Sequence, residues 1–228
     1  MVWDVLGERK QLRVLDLGCG TGNDFPYFLK HHWTVLGIDQ SPGMLNLAAK
    51  NYGEQVRLVK MDIREVNADK LAGEKFDLIF SITGGFAYMN DEDYRLCLEN
   101  LNGLMAPNGV MVLAHLTRFS LGDAVLNFLK LKWKRIPLRF RPVLQVPIKG
   151  ETYSMHLRTA KQLKSIVVKG LTITSLKPLL ALTPPYQTGL QTGPISYKVF
   201  RALERLSIKL GLGTRCCDQL VTIYRKEK

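Results

Sequence analysis

Short apolar runs alternate with stretches of helical periodicity through the first half of the chain, a pattern that predicts a mostly parallel sheet flanked by helices. Five strands are predicted at about Arg13–Leu17, Thr34–Asp39, Val56–Met61, Phe76–Ser81 and Gly109–His115, each a short β-branched or aliphatic run. Ser41 as N-cap and Pro42 at the first helical position open a helix whose Met44, Leu45, Ala48, Ala49 and Tyr52 share one face. Asn90 opens another, with Asp91, Glu92 and Asp93 set to complement the positive end of the helix dipole. Its Tyr94, Cys97, Leu98, Leu101 and Met105 recur at helical spacing, so Cys97 is assigned to the core.

Past His115 the pattern loosens. Residues 118–152 form a basic, proline-broken insertion whose strand-like run is Val143–Val146, closed by Pro147. Thr159 caps a predicted helix through Val168, followed by Gly170 and a strand over Leu171–Leu176. A Pro184-Pro185 turn, an amphipathic helix around Ile195–Leu210 and a last strand at about Gln219–Tyr224 complete the reading.

Charge divides the chain more sharply than hydropathy does. Residues 1–115 carry 11 Lys+Arg against 15 Asp+Glu, a net −4, and residues 116–228 carry 21 against 5, a net +16, which sums to the overall +12. A basic half calls for an anionic partner: a nucleic acid, an acidic small molecule or a membrane surface. At 228 residues with 46% hydrophobic and 23% charged, the chain is expected to form a single domain, 1–228. Four cysteines without CxxC spacing, and no segment with the form of a secretion signal, predict a reducing, cytoplasmic setting, with peripheral contact to a membrane left open. No apolar run reaches the roughly 20 residues of a spanning helix.

The chemistry is concentrated in Val14-Leu15-Asp16-Leu17-Gly18-Cys19-Gly20-Thr21-Gly22-Asn23-Asp24, a strand entering a glycine loop and then a helix. Its G-x-G-x-G spacing puts Asn23 where a dinucleotide fingerprint needs its last glycine, and the chain contains no G-x-x-x-x-G-K-[ST] loop for a triphosphate. What remains is a glycine loop against which a cofactor without pyrophosphate could lie. Asp39 ends the second strand, where an acidic side chain can accept two hydrogen bonds from ribose hydroxyls. The third strand ends in Met61-Asp62-Ile63, a carboxylate for an exocyclic amine beside an apolar side chain for a purine face.

Taken together, VLDLGCGTG at 14–22, GIDQSPGML at 37–45, MDI at 61–63, FDLIFS at 76–81 and LMAPNGVMVL at 104–113 resemble the class I S-adenosylmethionine (SAM)-dependent methyltransferases of the small-molecule type, over about residues 11–115. The second half looks like an uncharacterised bacterial branch of that group. The resemblance implies an α/β fold: a Rossmann-like, seven-stranded, mostly parallel sheet with helices on both faces and an antiparallel last strand, with the basic insertion as a lid. It implies a SAM-binding half at 11–115 and a substrate half at 116–228. Asp16, Gly18, Gly20 and Gly22, with the backbone of Cys19, would line the methionine end of SAM. Asp39, beside Gln40, would hold the ribose and Asp62 the adenine amine, with Ile63 and Met44 around the ring. Ser81 would sit at the strand end below the reacting methyl.

The resemblance also implies a helix ahead of the first strand. Met1 stands only 12 residues before Arg13, so either the sequence starts late or cover for the substrate is built elsewhere, with 118–152 as the natural replacement lid. The Asn/Asp-Pro-Pro-aromatic motif of nucleic-acid adenine methyltransferases is missing after Ser81, and Thr183-Pro184-Pro185-Tyr186 is read as a turn. His115 is the candidate general base, and Tyr88 and Tyr153 candidate pocket residues. No metal is expected, because His31 and His32 have no nearby acid. The expected acceptor is a small or lipid-like molecule, with an anionic membrane as a peripheral partner. An RNA acceptor is disfavoured, but RNA methylation and a non-catalytic SAM-binding module stand as the alternatives.

Overall fold

The computed structural model describes residues 6, 9, 11–82, 84–129, 131–133, 137, 140–148, 150–179, 202, 206, 214 and 217–227. The expected Pro184-Pro185 turn and the helix around Ile195–Leu210 fall almost wholly outside these residues.

All five strands predicted in the first half are present: β1 (Arg13–Leu17), β2 (Thr34–Asp39), β3 (Arg57–Lys60), β4 (Phe76–Ser81) and β5 (Met105–Leu116). They pair in parallel, in the order β3-β2-β1-β4-β5. β1 and β4 are buried almost end to end, because helices cover both sheet faces and leave no side for polar alternation. β5 begins earlier than expected. It pairs Met105 with Phe76, slips, and resumes with Val110 against Leu78. Gly109, the expected start, lies at this irregularity, where a Cβ would come within 2.9 Å of the Ala106 carbonyl and 3.0 Å of the Phe76 carbonyl.

The second half completes the sheet. β9 (Gln219–Lys226) runs antiparallel to β5, and β8 (Leu171–Leu179) runs antiparallel to β9 at the edge, giving seven strands. A separate hairpin pairs β6 (Val143–Ile148) with β7 (Glu151–His156) across a turn in which Gly150 takes φ +90°. β6 therefore continues through Pro147, which a two-stranded ribbon tolerates because it has two free edges.

Helices α1 (Phe25–Lys30) and α2 (Pro42–Tyr52) pack on one sheet face, through Phe25, Phe28, Leu45 and Ala48 against Val14, Val35, Leu78 and Val112. Helix α3 (Asp91–Leu104) packs on the other, through Tyr94, Leu98 and Leu101. The caps read from sequence are formed: Ser41 Oγ accepts from the Met44 amide and Asn90 Oδ1 from the Asp93 amide. Helix α4 (Leu121–Leu129) follows β5. Helix α5 (Ala160–Ser165) opens on a complete Thr159–Gln162 capping box but stops three residues short of Val168, where Ile166 is already extended.

Candidate functional site

Strand order reverses between β1, which is followed outward by β2 and β3, and β4, which starts the other side. In an open parallel sheet this reversal opens a crevice at the carboxyl ends of the strands, and that is where the glycine loop lies. The amides of Gly18 and Cys19 both donate to the Ile38 carbonyl at the end of β2, at 2.8 and 3.0 Å. Gly18, Gly20 and Gly22 all take positive φ, which side chains rarely adopt. The glycines nevertheless serve different needs. A Cβ on Gly22 would lie 2.5 Å from the Phe25 ring and 2.8 Å from that of Tyr52, whereas a Cβ on Gly20 would meet nothing within 4 Å.

Three acids converge on this loop. Asp16 is 3% exposed, and its Oδ2 has no hydrogen-bond partner among the described residues. Burial raises its carboxyl well above the usual range, with the charges of Asp24 and Asp39 adding to the effect. Burial raises Asp24 too. Asp39 accepts the Gly20 amide on Oδ2 (2.9 Å) and the Ser41 amide on Oδ1 (2.8 Å). The Cys19 thiol is buried and pushed up to about 12, chiefly by burial and then by Asp16 and Asp39, which makes it inert as a nucleophile. The glycine loop is thus flanked by three acids, Asp16, Asp24 and Asp39, close enough for the charges of the last two to act on the first.

Around it, Gln40 and Met44 are exposed, Met44 by 45%, while Ile63 is half-buried against the turn that follows β4. A Cβ on Gly85 would fall 2.6 Å from Ile63 Cδ1. Two residues expected at the site already have partners. Asp62 is not a free acceptor: Oδ1 takes the Arg64 amide and Nε at 2.9 and 3.0 Å, and Oδ2 takes a guanidinium nitrogen at 2.6 Å. These bonds hold its carboxyl below the usual range and occupy three of the roughly four lone-pair sites of a carboxylate. Ser81 is fully buried and its hydroxyl donates to the Leu17 carbonyl at 2.7 Å, so it fastens β4 to the start of the glycine loop.

The structure also argues against His115 as a base. It is 1% exposed, and its Nε2 lies 3.0 Å from Thr222 Oγ1 and 3.2 Å from the Tyr94 hydroxyl, which in turn meets the Tyr224 hydroxyl at 2.8 Å. Burial, reinforced by the Arg158 charge, lowers its pKa to about 3, so it stays neutral where a base would have to accept a proton. Tyr88 and Tyr153, by contrast, are brought together. Their rings meet edge to face at 6.1 Å, each about two-fifths exposed, where hairpin β6–β7 lies against the Gly85–Tyr88 turn. The Tyr153 hydroxyl donates to Glu151 at 2.6 Å, which raises its pKa and removes it as a base.

Arg158 was not foreseen, and it holds this side together. Its guanidinium is 2% exposed and donates to the Phe86 carbonyl (3.0 Å), the Met89 carbonyl (2.6 Å) and Asp91 (2.9 Å), over the Tyr94 ring at 4.7 Å. Its own amide donates to the Leu116 carbonyl. Nothing in its sequence neighbourhood marks it, because every partner of its guanidinium is at least 64 residues away. Among the described residues no group of three or more His, Cys, Asp or Glu is positioned to hold a metal.

Residues 14–109 match the family described as methyltransferase domain. Over 116 residues the chain is 31% identical to mouse glycine N-methyltransferase, and over 111 residues 30% identical to ubiquinone biosynthesis O-methyltransferase of Azorhizobium caulinodans. These matches take in 45% and 48% of this chain, and about two-fifths of each relative (40% and 42%). A Listeria monocytogenes structure assigned to the SAM-dependent methyltransferases superposes with a TM-score of 0.67 at 19% identity, covering 99% of this chain and 94% of that one, which shows the shared fold. Residues 14–109 thus match a methyltransferase domain, on a strand order and overall fold shared with solved SAM-dependent methyltransferases.

Proposed function

We propose that the protein binds SAM in the crevice between β1, β2 and β4 and methylates a small or lipid-like acceptor. The observation that carries this reading is the buried Oδ2 of Asp16, without a hydrogen-bond partner among the described residues and within reach of the charges of Asp24 and Asp39. A carboxylate left buried without a counter-charge is costly, and a ligand with an ammonium and a sulfonium removes that cost. The residues present therefore suit this cofactor.

When bound, SAM supplies an activated methyl group for in-line displacement by a nucleophilic atom of the acceptor. Asp16 would face the cationic end. Asp39 keeps lone pairs beyond the two used by Gly20 and Ser41, enough for a ribose diol. Gly20 would let the ligand lie directly on the backbone, and Met44 and Ile63 would flank the base. The adenine amine would have to join Arg64 at Asp62 or displace it.

On the acceptor side, Tyr88 and Tyr153 form an exposed aromatic wall beside the strand ends, with 118–152 as the natural cover. The protein's part is then to align the acceptor and exclude water. The named relatives act in glycine methylation and ubiquinone biosynthesis, which supports a small-molecule or lipid-like acceptor. Calorimetric titration with SAM and S-adenosylhomocysteine tests the cofactor assignment, and a screen of quinol, lipid and small-acid acceptors follows from binding. A folded protein that binds neither nucleoside would overturn it.

A further inference from the structure

Residues 124–150 contain seven Lys or Arg and no Asp or Glu. In this stretch large apolar side chains stand in water: Leu131 is 77% exposed, Phe128 and Trp133 59% each, and Phe140 55%. They are held there by specific contacts. The Leu131 amide donates to the Phe128 carbonyl and that of Lys132 to the Asn127 carbonyl, closing the end of α4 with Leu131 at φ +55°. Trp133 donates its indole N–H to the Phe128 carbonyl, and the two rings stack 6.0 Å apart at 13°. Phe140 packs on Phe119 at 5.4 Å, and Lys132 and Arg141 are exposed beside these groups.

Fixed, exposed apolar groups beside the exposed Lys132 and Arg141, in a stretch of sequence without acids, match a surface that is anionic at its headgroups and apolar just beneath them. Aliphatic and aromatic side chains enter the headgroup boundary, while lysines and arginines meet lipid phosphates, at about 1 kcal/mol each. A nucleic acid is the poorer match. Its bases stack on open aromatic faces, whereas here Phe128 and Trp133 cover one another and the most exposed side chain, Leu131, has no ring. We propose that the face carrying Phe128, Leu131, Trp133 and Phe140, with Lys132 and Arg141 beside them, seats the protein peripherally on an anionic bilayer surface, the four apolar side chains being the inserted groups. This does not depend on which acceptor is methylated.

The test is sedimentation of the full chain with vesicles of phosphatidylcholine alone and of phosphatidylcholine with phosphatidylglycerol, at low and high salt. Binding is expected to the anionic vesicles, weakened but not abolished by salt, because part of the attraction is apolar. Leu131→Glu/Trp133→Glu should lower binding about tenfold or more while the protein stays folded by thermal melt, since both side chains are largely exposed and the only described partner lost is Phe128. Lys132→Glu/Arg141→Glu should reduce mainly the salt-sensitive part. The proposal is overturned by no binding to anionic vesicles, by undiminished binding of the Leu131/Trp133 variant, or by retention on poly(U) without vesicle binding, which would assign the basic stretch to RNA.

Discussion

The backbone amide of Gly20 donates to Oδ2 of Asp39 at 2.9 Å, so the side chain proposed to hold the ribose also holds the glycine loop on which the cofactor would rest. Loop shape and ribose recognition are coupled through one carboxylate, whose other oxygen fixes the Ser41 amide at the entry to α2.

Replacing Asp39 with Ala should therefore cost more than the direct contact. Loss of hydrogen bonds to a charged group is worth about 1.5–3 kcal/mol, or roughly ten- to a hundredfold in affinity for SAM. Calorimetry on a variant shown to be folded checks this, and unchanged affinity would remove Asp39 from the site.

Asp16, at the proposed cofactor site, should make binding of SAM pH-dependent. The folded chain holds the Asp16 proton more tightly than the unfolded chain, whose carboxyl titrates at its ordinary value of 3.8. The stability of the cofactor-free protein should then fall as pH rises from about 4 through the raised pKa of Asp16. A cationic ligand favours the ionised form, so affinity for SAM should rise with pH over that same window, with release of up to one proton. Titrations in buffers of different ionisation enthalpy measure the proton, and Asp16→Asn should abolish the pH dependence.

Two glycine substitutions should separate folding from binding. Gly22→Ala places a methyl group 2.5 Å from the Phe25 ring at φ +80°, so it should lower stability by about 2 kcal/mol or more. Gly20→Ala meets nothing within 4 Å and should cost about 1 kcal/mol for its left-handed backbone, while its methyl stands where the ligand would lie. Thermal melts paired with SAM titrations should show Gly22→Ala failing chiefly in the first and Gly20→Ala chiefly in the second.

His115 should make the protein labile to acid. Its pKa is about 3 when folded against 6.5 ordinarily, so the unfolded chain takes up a proton first and stability falls as pH drops from 6.5 toward 3. Between about pH 7 and about pH 4.5 this amounts to about 2–3 kcal/mol. In denaturant titrations the stability of the parent should fall toward acid more steeply than that of His115→Gln, between pH about 6.5 and about 4.5. Equal pH profiles would show that His115 is not the sensor.

The parallel strands and the caps at Ser41 and Asn90 could be read from sequence because their determinants are local: apolar runs, and one polar side chain bonding an amide three residues on. β7 could not. Glu151–Ser154 are exposed, so no contrast between two faces marks the strand, and its partner β6 seemed to end at Pro147. In the site, the glycine loop and Asp39 were legible as a motif. That Asp62 is spent on Arg64, two residues away, and that His115 is buried in a Tyr94–Thr222 network were not, because both depend on where side chains turn once the backbone is fixed.

Arg158 bears on how such a protein could be re-engineered. One guanidinium from the basic half grips the Phe86 and Met89 carbonyls of the acidic half, and its amide grips the end of β5. A chimaera that imported residues 116–228 from a relative would strand those two carbonyls unless the donor brought an arginine to the same spot. With Tyr88 and Tyr153 as the proposed acceptor wall, new preferences are better sought by varying those two around this fixed bolt than by exchanging the halves it joins.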